Sequence, residues 1–133
     1  MIDAVDHVHV YVDDVLAAAA WYRKFLGFEH DAAFTEWYEQ GGPYVIRCGA
    51  AALSLFQRSS PKPGNTIAFA IQATKLRALL ARVEQSTLAY TVVDHHLTWS
   101  IYFDDLCANP LEVTCNDYAA ATPMMAAAAQ KRS

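Results

Sequence analysis

The series strand, helix, strand, strand, strand can be read twice along this sequence, and that repeat constrains the fold more than any other feature. From Val5 to Val12 apolar and polar residues alternate. Val8, Val10 and Val12 share one side, and His7, His9 and Tyr11 the other, which predicts a half-buried strand. Asp13 and Asp14 can cap a helix over 15–26, with Leu16, Ala19, Ala20, Tyr22 or Arg23, and Leu26 at helical spacing and Gly27 as its stop. Further strands are predicted over 28–35, 44–48 and 51–57, separated by Gly41-Gly42-Pro43 and Gly49. A polar linker with two prolines and a glycine follows at 58–64. After it come a strand over 66–72, a helix over 75–85 capped by Thr74, and strands over 88–93, 100–103 and 111–115. The second helix carries Leu76, Leu79, Leu80 and Val83 on one stripe.

The two halves share a pattern, not residues. The expectation is an α+β fold: one domain over 1–117, made of two βαβββ modules (1–58 and 65–117). Residues 118–133 form an alanine-rich tail with a short helix over 119–130. With 133 residues, 54% of them hydrophobic, the chain can bury a real core. The ten Lys and Arg residues are scattered and the net charge is −4, which gives nucleic-acid binding little support. No apolar run nears the roughly 20 residues of a membrane span. Asp3 and Asp6 stand where a secretory leader would carry basic residues, so a cytoplasmic protein is expected. Cys48, Cys107 and Cys115 form no CxxC pair and read as free thiols packed as small hydrophobes.

Alternation divides each strand into two faces. One is uniformly apolar: Val8, Val10, Val12, Leu53, Leu55, Ile67, Phe69, Ile71, Ile101, Phe103, Leu111 and Val113. The other mixes His7, His9, Tyr11, Ser54, Phe56, Thr66, Ala68, Ala70, Ser100, Tyr102, Glu112 and Thr114. Small, aromatic and sparsely polar residues suit a lined cavity better than a solvated sheet face.

The run from Asp6 to Asp14, then Trp21-Tyr22-Arg23-Lys24-Phe25-Leu26-Gly27-Phe28-Glu29, resembles the opening of the vicinal oxygen chelate superfamily. That group includes glyoxalase I, bleomycin-resistance proteins, fosfomycin-resistance thiol transferases and extradiol dioxygenases. Ser100-Ile101-Tyr102-Phe103-Asp104-Asp105 and Asn109-Pro110-Leu111-Glu112-Val113-Thr114 are similar to its closing strands. The resemblance covers residues 3–116. It implies paired modules forming a cupped mixed sheet with helices on the outer face, often in a homodimer. In metal-using members four inward side chains hold one divalent ion. His7 and Glu112 match two of those positions, but Ser54 and Thr66 stand at the other two, and neutral hydroxyls are weak ligands. Leu106-Cys107-Ala108 also replaces the family's usual Pro-Asp-Gly turn.

Two readings follow. In the first, the chain binds a small aromatic or cationic molecule without a metal. His9, Tyr11, Trp37, Ser54, Phe56, Thr66, Trp99 and Tyr102 would line the site. In the second, a divalent metal is held by His7, Glu112 and a non-standard third ligand such as His96, and the chain is a lyase, isomerase or thiol transferase. Glu112 is the candidate proton-transfer group. Alternatively, His7 and Glu112 only hydrogen-bond each other, and His95-His96 is an exposed loop.

Overall fold

Asp14 accepts a hydrogen bond from the Ala17 N–H at 3.1 Å and so starts α1 (Val15–Leu26). Gly27 ends it at φ 77°, donating its N–H back to Arg23 and Tyr22 carbonyls. In this computed structural model, which describes residues 1, 4–62 and 64–132, two strands of the first half run side by side in the same direction. These are β1 (Val8–Val12) and β4 (Ala51–Gln57), with His9 opposite Ser54 and Tyr11 opposite Phe56. Ile2, Asp3, Pro63 and Ser133 fall in the expected first segment, linker and tail, and lie outside the described residues.

The first compact unit comprises 1–64 with 105–107. Its sheet has the order β1-β4-β3-β2, with β2 (Glu29–His30) and β3 (Tyr44–Cys48) antiparallel to their neighbours. Helix α1 packs on this sheet and buries Ala18, Trp21, Tyr22 and Phe25. The stripe expected from spacing is therefore rotated, and Leu16 is 58% exposed. Aromatic area decides this: Trp21 meets Tyr22 at 5.1 Å and Phe25 at 5.0 Å, and such rings dominate burial energy.

Three sequence expectations change here. First, β1 begins at Val8, so His7 precedes the strand. Second, the strand expected over 28–35 stops after two residues. The Asp31 carboxylate accepts from the Ala33 N–H at 3.1 Å and turns the chain into a 3-10 turn (Ala32–Phe34) and α2 (Thr35–Glu39). Arg47, 3.0 Å from Asp31, then holds that carboxyl below the usual range. Third, of the three free cysteines, Cys107 and Cys115 are buried but Cys48 is exposed.

The second unit comprises 65–104 with 108–133. Its sheet has the order β5-β8-β7-β6: β5 (Ile67–Ala70), β6 (Thr91–Asp94), β7 (Trp99–Asp104) and β8 (Pro110–Cys115). Again the first strand lies parallel to the last, and α3 (Ala73–Glu84) follows the first strand and leads to β6. The Leu76, Leu79, Leu80 and Val83 stripe is buried as expected, but α3 starts after Gln72 and uses no side-chain cap, so Thr74 lies inside the helix. Strand β6 starts three residues later than expected. Ser86 Oγ donates to the Val83 carbonyl and accepts from the Leu88 N–H, which prolongs the turn. The tail forms one helix, α4 (Tyr118–Arg132), which packs on β6, β7 and α3 and buries Ala121, Met125 and Ala128. No helix among the described residues is long and apolar enough to cross a membrane.

The turn that departs from Pro-Asp-Gly is rebuilt from side chains. The Tyr22 hydroxyl donates to Asp105 Oδ2 at 2.7 Å, and Asp105 Oδ1 accepts from the Cys107 N–H at 2.8 Å. Arg58 donates to the Cys107 carbonyl at 2.8 Å and forms a two-pronged pair with Asp13. That pairing holds Asp13 below the ordinary carboxylate range. Ala108 then adopts φ 64°, a left-handed conformation that costs a residue with a Cβ roughly 1–3 kcal/mol. Ala108→Gly should therefore stabilise the chain by about 1 kcal/mol, read as a rise in the urea midpoint without a change in slope.

Burial, and then the Asp105 carboxylate, push the Tyr22 phenol far above its ordinary value. Unfolded Tyr22 ionises near pH ~10 while the folded phenol keeps its proton, so the native chain holds more protons above that pH. Stability should be full below about pH 10 and fall beyond it by about 1.4 kcal/mol per pH unit from this group. Urea titrations across that range should show a shallower loss for Tyr22→Phe.

Candidate functional site

In the first unit, the parallel β1–β4 ladder puts alternate residues of both strands on one face. His9 lies 4.8 Å from the Phe56 ring, and Tyr11 stacks on the other side of Phe56 at 5.5 Å and 24°. His7 continues the row by stacking on His9 at 5.0 Å, with the two Nε2 atoms 3.0 Å apart. Asp6 Oδ2 sits 2.8 Å from His7 Nδ1. A carboxylate only accepts, so neutral His7 carries its proton on Nδ1 and its Nε2 accepts from His9 Nε2–H. Asp6, His9 and Phe56 thus hold these two rings in place. Tyr11 is 51% exposed, His7 and His9 are exposed, and Phe56 is half-buried, so the row presents aromatic surface outward. Ser54, opposite His9, is buried.

Trp37 lies elsewhere in this unit, on α2, 5.8 Å from Phe34 and 53% exposed. A Cβ at Gly42 would lie 2.8 Å from the Trp37 carbonyl and 2.9 Å from its ring, so only glycine lets the two approach.

In the second unit, Glu112 lies opposite Tyr102 across the antiparallel β7–β8 pair, and Ser100 opposite Thr114. The Ser100 hydroxyl, wholly buried, donates to Glu112 Oε2 at 2.7 Å. Burial, followed by the hydrogen bond to Glu112 and the carboxylate's charge, raises the Tyr102 phenol. On its far side Tyr102 Oη is 2.9 Å from His95 Nε2. Two hydrogen-bonded pairs, His95 with Tyr102 and Ser100 with Glu112, are therefore joined into one chain of neighbours by the cross-strand pairing of Tyr102 with Glu112. His95 was not among the expected site residues, and Ser100 was noted only for its face.

The other expected residues of this unit lie apart from that chain. The His96 side chain is 86% exposed, with φ 67° and Nδ1 3.8 Å from Asp94. Asp94 is half-buried; the His96 N–H and the Tyr118 hydroxyl outweigh that burial and keep its carboxyl low. Trp99 shares the parity of Ile101, is buried, donates to Thr122 Oγ1 at 3.0 Å and stacks on Tyr118 at 5.9 Å. Its indole faces α4. Thr66 is exposed and precedes β5.

Among the described residues no three or more His, Cys, Asp or Glu side chains form a group that could hold an ion. The Glu112 carboxylate accepts from the Ser100 hydroxyl. Ser100→Ala removes a buried donor to a carboxylate and should cost about 1.5–3 kcal/mol in denaturant unfolding.

Comparison with known proteins gives a family-model match over residues 4–113, described as Glyoxalase/Bleomycin resistance protein/Dioxygenase superfamily. No curated protein matches the chain. Among solved structures, a glyoxalase-family protein from Bacillus anthracis is similar with a TM-score of 0.71 and 21% identity. It covers 88% of this chain and 98% of its own. A mutant of the fosfomycin resistance protein FosX from Listeria monocytogenes, solved with Mn(II) and a dihydroxypropylphosphonic acid, gives 0.69 and 16%, covering 93% and 98%. Lactoylglutathione lyase from Agrobacterium tumefaciens gives 0.66 and 21%, covering 86% and 94%. At these identities the likeness shows the fold.

Proposed function

The chain belongs to the Glyoxalase/Bleomycin resistance protein/Dioxygenase superfamily, and from that footing we propose that it binds a small aromatic or cationic molecule without using a metal. The row of rings formed by His7, His9, Phe56 and Tyr11 carries this reading. Rings gathered along one side of β1 and β4 offer π surface, attractive to planar rings and to cations. Tyr11 is more exposed than folding needs, which supports a role toward a ligand. The hydroxyl-bound state of Glu112 supports the metal-free half of the reading.

Titration with N-methylquinolinium, a planar aromatic cation, followed by fluorescence should show saturable binding. Tyr11→Ala and Phe56→Ala should each weaken it by about three- to tenfold. Metal quantification on protein purified without a His-tag, followed by titration with Mn, Ni, Zn and Fe(II), should show no stoichiometric binding. Stoichiometric binding lost in both His7→Ala and Glu112→Ala would overturn the reading in favour of a metal-dependent lyase, isomerase or thiol transferase.

A further inference from the structure

Helices α3 and α4 of the second unit leave a groove of about 460 Å³ between them, a volume within the range of small-molecule sites. Ala81 of α3 and Ala127 of α4 line it, and their short side chains leave room between the helices. Leu80, 4% exposed, and Met124, half-buried, give it apolar surface. The α3 wall is one helical stripe. Arg77, Leu80, Ala81 and Glu84 follow the i, i+3, i+4, i+7 spacing that brings side chains onto a single face.

The two ends of that stripe carry opposite charges. Side chains on a helix pair three or four residues apart, whereas Arg77 and Glu84 are separated by two turns, with about 10 Å of helix rise between them. They bracket the apolar stretch without neutralising each other across it, and both are exposed. Glu84 is also the last residue of α3, where the negative end of the helix dipole favours a cation over a carboxylate. A cationic group placed there meets both the side chain and the helix end. An occupant with one charge would leave the opposite end unmatched.

We propose that this groove binds small amphiphilic zwitterions, with a carboxylate on Arg77, an ammonium on Glu84 and an apolar chain over Leu80 and Met124. The site is separate from the row of rings, whose residues all belong to the first unit.

The probe is ω-aminooctanoate, whose extended chain of C–C bonds near 1.5 Å reaches about 10 Å. Octanoate, octylammonium and ω-aminobutyrate are its controls. Binding is read by NMR from the Met124, Ala81 and Ala127 methyl groups. Exposed ion pairs contribute modestly, so ω-aminooctanoate should bind about three- to fivefold more tightly than either singly charged control. The shorter ω-aminobutyrate cannot span the two charges and should bind about tenfold more weakly than ω-aminooctanoate. Arg77→Glu should remove the preference for the zwitterion. Adding Glu84→Arg should restore it, because a zwitterion can turn end for end. Ala127→Leu should fill the groove and abolish the Met124 shifts. The charge variants lie on exposed positions and keep the test decisive should Ala127→Leu fail to fold. Equal binding of all four probes, a preference that survives Arg77→Glu, or a double variant no better than the single would each overturn the proposal. Sedimentation showing a dimer that Ala127→Leu dissociates would overturn it too, and would assign the groove to a second copy of the chain. Failure here leaves N-methylquinolinium binding by the row of rings untouched.

Discussion

In each unit the first strand runs parallel to the last, and a parallel neighbour can be reached only by a connection long enough to cross back over the sheet. Helices α1 and α3 occupy those connections. Once β1 is locked beside β4, and β5 beside β8, the register decides which side chains meet. Tyr11 must sit beside Phe56, and Ala68 beside Glu112. Slipping either ladder by one residue would turn Val10 and Leu55, or Phe69 and Val113, away from their buried side and expose apolar area. Burial of the apolar face therefore sets which side chains share the opposite face.

Much of this was legible where the signal is local. The limits of α1, its Asp14 cap and Gly27 stop, and the bounds of β3 and β4 follow from periodicity and turn residues alone. The 28–35 segment was not legible, because one carboxylate hydrogen bond at Asp31 outcompeted a strand ladder, and that choice depends on Arg47 sixteen residues away. Trp99 was misplaced for a smaller reason: beginning the strand at Ser100 hid that Trp99 alternates in phase with Ile101 and Phe103. His95 escaped notice because adjacent histidines are indistinguishable in a sequence, and only the turn, with His96 at positive φ, assigns one to Tyr102 and the other to solvent.

Hydroxyls and metal ions solve the same electrostatic problem for a buried carboxylate in different ways. An ion neutralises it, whereas a hydroxyl donor stabilises the charge and leaves it negative. The family's resemblance to metal-using members therefore coexists here with a strand glutamate whose partners come from its neighbour β7. Ser54, at a position where the resemblance puts a ligand in metal-using members, is buried.

The three tryptophans are distributed in a way that has an optical consequence. Trp21 is 9% exposed in the core of the first unit, Trp99 is 4% exposed against α4 in the second, and Trp37 is 53% exposed over Gly42. Indole emission shifts to the red when a ring moves from an apolar to an aqueous environment. Each unit thus carries its own internal lamp, and Trp37 supplies a reference whose colour is already that of water. Chains retaining one indole at a time would let the melting of the two units be watched separately.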